Sequence, residues 1–222
     1  AVILDVVYNH TSDDSPLWQI DSTAYHSTET VPWGKKLDLT KAPTLRYVRD
    51  NLRFWMDEFR IDGFRFDATE YIDNDFLLRL ITDITAAGYG NRYFIFEEFS
   101  GTHNAAIQDY NTAAGQSVIS SWGTGYKNAV WAAMVSGGSS ADLGKITYYS
   151  KDDGWDRPGS VINYFSSHDE GTLTGKGMPK AVIRTAAVHL LTSMGIPMLW
   201  MGEEVRSPQQ GNNAADPTAE AS

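Results

Sequence analysis

Four short polar motifs follow or interrupt apolar runs in this chain. They are Asp5-Val6-Val7-Tyr8-Asn9-His10, Gly63-Phe64-Arg65-Phe66-Asp67-Ala68, Phe96-Glu97-Glu98-Phe99 and Ser167-His168-Asp169-Glu170. The last three each place a carboxylate just past a strand-like segment. One sets an Arg two residues before its Asp, and another sets a His directly before its Asp. Separated carboxylates with cationic or imidazole neighbours suit cleavage of a glycosidic bond through an oxocarbenium-like state.

Each carboxylate has a distinct expected task. Side chains alternate along a strand, so Arg65 and Asp67 share one side. The guanidinium favours ionised Asp67, the form a nucleophile needs. An ordinary Arg–Asp pair closing a strand would read the same way. Glu97 leaves the run Tyr93-Phe94-Ile95-Phe96 beside Phe99. Desolvation there raises a carboxyl pKa and suits a proton donor. Glu98 competes for this role, and Glu97 is chosen because it is the first residue past the strand. Asp169 is the third carboxylate, placed to orient ring hydroxyls, and His168 can donate to one. His10 is a further hydroxyl ligand. Asp5 sits within an apolar run and must be paired, most plausibly with Arg65. No paired-His zinc spacing is present, so no catalytic metal is expected. A structural calcium on oxygens such as that of Asn9 has only weak support.

The elements that must position these groups follow from periodicity. Val2 to Val7 predicts a parallel strand buried on both faces. Residues 11–44, with Pro16, Pro32, Gly34 and Pro43, predict a long loop or small excursion. Thr44 to Phe59 predicts a helix with Leu45, Val48, Leu52, Trp55, Met56 and Phe59 on one face. Ile61 to Phe66, Tyr93 to Phe96, Val161 to Phe165 and Met198 to Met201 predict strands. Asp75 to Ala87, Tyr126 to Val135 and Lys180 to Ser193 predict helices, and Ser136 to Ser140 a break. Strand, polar residues and helix in repetition mark a parallel α/β domain. A doubly wound sheet would carry a Gly-rich loop after its first strand, where Asn9, His10 and Thr11 stand instead. Reactive side chains at several strand ends favour a (β/α)8 barrel.

The bulk properties agree with a neutral polyol ligand. The 222 residues carry a formal net charge of −10, which disfavours a nucleic-acid partner. Seven Trp, eleven Tyr and nine Phe can serve a core or stack on sugar faces. Cysteine is absent, which excludes disulfides and thiolate metal sites. No apolar run reaches membrane-spanning length, and the residues do not fix a compartment.

In this order and strand context, the four motifs resemble the signature regions of the α-amylase clan, glycoside hydrolase family thirteen. The segment from Gly195-Ile196-Pro197 to Gly202-Glu203-Glu204 is similar to that around the family's eighth strand. The resemblance implies a (β/α)8 barrel and a retaining reaction on α-glucans or maltooligosaccharides. In it Asp67 matches the nucleophile, Glu97 the acid/base and Asp169 the transition-state stabiliser. Tyr8, His10, Arg65 and His168 match substrate-binding positions, and Asp5 and Asn9 supporting ones. No cofactor is required. Glu70-Tyr71 stands where many α-amylases have Lys-His, which weakens a calcium-dependent assignment. With a short insertion and Pro32-Trp33-Gly34, the chain is more similar to branching enzymes, isoamylases and trehalohydrolases.

By the same resemblance, residues 1–206 correspond to strands three to eight of a partial barrel, with the excursion at 11–44. The first two strands and the C-terminal β-sandwich would lie outside this stretch, and 207–222 would be an irregular tail. Such a barrel leaves open edges, so the 222 residues alone are expected to be poorly stable or inactive. A branching transglycosylase and a non-catalytic glucan-binding homologue are the alternatives. A barrel enzyme acting on phosphorylated metabolites is disfavoured by the acidic charge and the missing phosphate loop.

Overall fold

The computed structural model describes residues 1–136, 155–209 and 211. The expected break beyond Ser136 and most of the tail beyond Gln209 lie outside them. The chain divides into two compact units, Ala1–Ser121 and Trp122–Ser222.

The first unit is built on a parallel sheet. Strands β1 (Ile3–Val6), β5 (Gly63–Phe66), β6 (Tyr93–Phe96) and β7 (Ile119–Trp122) lie side by side in that order. Asp5 pairs in register with Arg65, and Arg65 with Ile95. The core of the sheet is aromatic: Phe64, Phe66, Phe94 and Phe96 are fully buried. β1 departs from the expected double burial. It is an edge strand, and Ile3 and Asp5 are exposed while Val6 is buried.

Of the two readings of residues 11–44, loop or small excursion, the structure has a folded excursion. Helix α1 (Pro16–Tyr25) is capped by the Ser15 hydroxyl and kinked at Asp21. Strand β2 (His10–Thr11) then joins β3 (His26–Val31) and β4 (Gly34–Leu37) in an antiparallel sheet of order β2-β4-β3. The prolines that suggested a loop occupy tolerated places: Pro16 at the first turn of α1 and Pro32 in the β3–β4 turn. Gly34 has φ of 152°, and a Cβ there would meet the Thr11 carbonyl, so only glycine fits.

Helix α2 (Ala42–Glu58) buries Val48, Leu52 and Met56 of the expected face together with Thr44, while Leu45 and Trp55 are half-buried and Phe59, past the helix end, is exposed. Helix α3 (Asn74–Ile84) starts at Asp73, whose carboxylate accepts the Phe76 amide, and buries its whole apolar stripe. It stops three residues short of Ala87 because a π-helical turn, Thr85–Tyr89, follows and Gly88 turns to φ of 101°. Two elements escaped the sequence reading. Helix α4 (Asn104–Ala114) is polar and buries only Ile107 and Asn111. Strand β7 buries Ser120 and Ser121, so it shows no apolar run. Asn111 ties the two together: its amide donates to the Ile119 carbonyl (2.7 Å) and accepts from the Val118 and Ile119 amides (2.8 and 3.0 Å).

In the second unit, helix α5 (Thr124–Ser136) and helix α6 (Lys180–Thr192) share a core with Phe165 and Leu173. Tyr126, Val130, Ile183, Ala186 and Leu190 fill it. Strand β8 (Val161–Asn163) pairs in parallel with β9 (Ile196–Pro197). The last strand therefore lies two residues earlier than the expected Met198–Met201. Met198 still donates to the Asn163 carbonyl (2.8 Å), but Gly202 then takes φ of 101° and a 3-10 turn, Glu203–Val205, begins. β8 is also shorter than read, because Tyr164 to Ser167 remain buried without strand geometry.

Candidate active site

The carboxyl ends of β1, β5 and β6 carry the chemistry-bearing residues of the first unit, where open parallel sheets place their ligand crevice. Arg65 organises them. Its Nη1 donates to both Asp5 oxygens (2.7 and 2.9 Å) and to Asp67 Oδ1 (3.1 Å). Its Nη2 forms an ion pair with Glu97 Oε1. One guanidinium thus meets three carboxylates from three strands. Burial works to lower the Arg65 pKa, but Glu97, Asp5 and Asp67 together hold it above its ordinary value. The pairing expected for Asp5 is present, although Asp5 itself is open to solvent.

Asp67 and Glu97 are held by the backbone as well. The Asp67 amide donates to Val6 O and the Glu97 amide to Phe66 O, both at 3.0 Å, which extends the ladder to each carboxylate. Buried Asn9 donates through Nδ2 to the Asp67 carbonyl (2.8 Å) and to Asp67 Oδ2 (3.0 Å). Its amide oxygen lies against His10 Nδ1. That contact makes Nδ1 the protonated nitrogen of a neutral imidazole and leaves Nε2 to face other groups. Burial lowers the His10 pKa, and the Asp67 charge opposes it.

Ala68 follows Asp67 in left-handed geometry, with φ of 40° and ψ of 57°. This turn aims the Ala68 amide at Glu97 Oε2 (3.0 Å). Arg65 and this amide thus both bind the Glu97 carboxylate; of the flanking phenylalanines, Phe96 is buried and Phe99 exposed.

Glu97 and Glu98 point to different partners. Glu98 accepts from the amides of Ser100 (2.9 Å) and Gly101 (3.0 Å), from the Ser100 hydroxyl and from His103 Nδ1. Burial raises its pKa, but the bonds from His103 and Ser100 outweigh this and leave it below its ordinary value. Only Glu97 joins Arg65. Tyr8 stands apart from the expected ligand set. It is buried, its ring lies 6.1 Å from Phe66, and its hydroxyl donates to Asn51 of α2 (2.5 Å). Desolvation pushes its pKa up, so the hydroxyl stays protonated as a scaffold contact.

In the second unit, His168 and Asp169 follow the buried Tyr164–Ser167 segment. His168 Nε2 lies 3.5 Å from Asp169 Oδ1, and its ring stands between Trp122 (6.2 Å) and Trp200 (6.1 Å). The turn closes through Gly171, whose amide donates to Ser167 O (2.8 Å). The next residue, Glu170, pairs with Lys127.

No family model matches the chain. It is 24% identical to a malto-oligosyltrehalose trehalohydrolase of Saccharolobus solfataricus, over 92% of this chain and 42% of that protein. It is 27% identical to pullulanase A of Streptococcus pneumoniae, over 97% of this chain and 20% of that one. The crystal structure of an α-amylase from Geobacillus thermoleovorans, complexed with acarbose, superposes with a TM-score of 0.75 at 19% identity, over 96% of this chain and 51% of that chain.

The chain is thus similar to glycoside hydrolases, among them a trehalohydrolase and a pullulanase. The chain spans less than half the length of these two curated relatives. The α/β fold with its parallel sheet is that of the α-amylase structure.

The sequence reading passed over Glu98, Thr69 and His103 as a working group. The available signal was a second Glu directly after the first and a His five residues on. Neither is a motif, because their meeting depends on a loop that periodicity does not describe.

Proposed function

We propose that the protein carrying this chain cleaves α-glucosidic bonds in starch- or glycogen-like substrates with retention of configuration. Asp67 is the nucleophile and Glu97 the acid/base in this reading. Arg65 holds both carboxylates, and His10 receives a sugar hydroxyl on Nε2. Asp169, beside His168 and two tryptophans, is the third carboxylate. The observation that carries the reading is the contact of Arg65 with Asp5, Asp67 and Glu97 at three adjacent strand ends. Related proteins named for malto-oligosyltrehalose and pullulan, and an α-amylase bound to acarbose, support the substrate class. We further propose that the described strands form part of a (β/α)8 barrel completed elsewhere in the full-length protein.

Retention requires the two carboxyl groups roughly 5–5.5 Å apart and a covalent glycosyl-enzyme. Asp67 attacks the anomeric carbon as Glu97 gives its proton to the departing oxygen. Glu97 then takes a proton from water, which attacks the same carbon and frees Asp67. A fluorinated α-glucosyl fluoride should leave its label on the Asp67 peptide of the full-length protein, read by mass spectrometry. Label on another carboxylate, or no label with full turnover, would refute the assignment. Products from maltoheptaose, amylose and pullulan then separate hydrolysis from transfer to a sugar hydroxyl.

A further inference from the structure

The loop after β5 and the loop after β6 are joined by a buried polar clamp that the proposed reaction does not itself use. Thr69 donates to the Glu97 carbonyl through both its amide and its hydroxyl, each at 2.9 Å. The hydroxyl also lies 3.4 Å from Glu98 Oε2. His103 is 1% exposed and spans the gap between the loops. Its Nδ1 meets Glu98 Oε2, and its Nε2 lies 3.1 Å from the Ile72 carbonyl. Its ring packs edge-on to Phe96 at 6.2 Å. Four contacts thus connect residues 69–72 to residues 97–103, and Asp67 and Glu97 stand at the near ends of these two loops.

A carbonyl oxygen only accepts, so His103 Nε2 must carry hydrogen. The contact between Nδ1 and Glu98 needs one further proton. His103 thus bridges two oxygens, the Glu98 carboxylate and the Ile72 carbonyl, and hydrogen bonds to a carboxylate are shorter and stronger than neutral ones. A single N–H can satisfy only one of the two acceptors as well.

We infer that His103, fixed between Glu98 and the Ile72 carbonyl, is a positioning residue that sets Glu97 against Asp67 by clamping their loops together. The inference rests on the role assigned to Glu97, and it adds the device that places it. A misplacement near 1 Å is enough to cost about a hundredfold in rate. The loss falls on the step that needs a well-aimed proton. Substrates whose leaving group departs unaided should be spared.

The test uses the full-length protein with His103→Gln, and with Thr69→Val beside its conservative control Thr69→Ser. Turnover of a maltooligosaccharide should fall about a hundredfold in folded His103→Gln. Turnover of α-glucosyl fluoride, whose fluoride needs little protonation, should fall only a fewfold. Thr69→Val should shift the same ratio in the same direction, and Thr69→Ser should restore it. The Glu97 carboxyl resonance should move in His103→Gln. Equal losses on both substrates, or an unmoved Glu97 resonance, would overturn the proposal. Absence of turnover on either substrate in the unsubstituted protein would instead sink the glycosidase reading, and the NMR measurement of Glu97 would still decide the clamp.

Discussion

Replacing Arg65 separates the dry part of the carboxylate cluster from the wet part. The Arg65 side chain is 9% exposed and that of Glu97 4%, whereas that of Asp5 is 58% exposed. Removing one partner of a buried pair leaves an uncompensated charge, at a cost of about 3–5 kcal/mol. An exposed pair contributes about 1 kcal/mol or less. Arg65→Gln should therefore destabilise by about 3–5 kcal/mol and Asp5→Asn by about 1 or less. A domain of this size moves about 2–4 °C per kcal/mol, so the expected Tm losses are roughly 6–20 °C and at most about 4 °C. Urea unfolding of the full-length protein, followed by tryptophan fluorescence at pH 7, measures both. The double variant Arg65→Gln/Glu97→Gln provides the decisive comparison. It removes both buried charges, so it should be more stable than Arg65→Gln alone. Equal costs for Arg65→Gln and Asp5→Asn would refute the reasoning. So would a double variant whose loss is the sum of the two single ones.

Three further outcomes follow from other sites. His26 is buried with Nε2 at 2.8 Å from the Thr11 hydroxyl, and desolvation, with Lys41 second, lowers its pKa. A lowered base binds its proton less well when folded, so stability should fall as pH drops below about 6.5, and His26→Gln should flatten that slope in urea melts from pH 8 to 5. Asn111→Ala strips partners from three buried backbone groups and should cost about 2–4 kcal/mol by the same assay, with less than about 1 counting against the tie to β7. Arg60 and Ala68 both have left-handed backbone, with φ of 56° and 40°. Exposed Arg60→Gly should gain about 1 kcal/mol, while buried Ala68→Gly trades a similar relief for about 0.8 kcal/mol of lost methyl burial and should be near neutral; equal gains at both would contradict this.

Much of the first unit was legible because its parallel strands are short apolar runs, each ending at a polar residue. Tyr93–Phe96 was read to the residue, and α2 to within two residues of its start. The motif carboxylates follow from the same grammar, since the first side chain past a buried strand emerges at the sheet's carboxyl edge. What failed had a common cause. β7 is buried through Ser120 and Ser121, and α4 docks through Asn111, so burial there is satisfied by hydrogen bonds that hydrophobic periodicity cannot register. The elements inside the excursion are hidden for another reason: its prolines signal breaks, but at a helix start and in a hairpin turn they are permissive.

The two adjacent glutamates show where sequence reasoning reaches its end. Alternation predicts that Glu97 and Glu98 face opposite ways, and they do find separate partners, Arg65 for one and His103 for the other. Alternation alone does not say which side holds the cation that organises the cluster. That depends on register: Arg65 lies beside Asp5 on one side and Ile95 on the other, two residues before Glu97. Glu97 therefore shares the face of Ile95, of Arg65 and of Asp67, by the same period of two applied across three strands. The pairing of strands distant in sequence decides the choice, and no local pattern contains it.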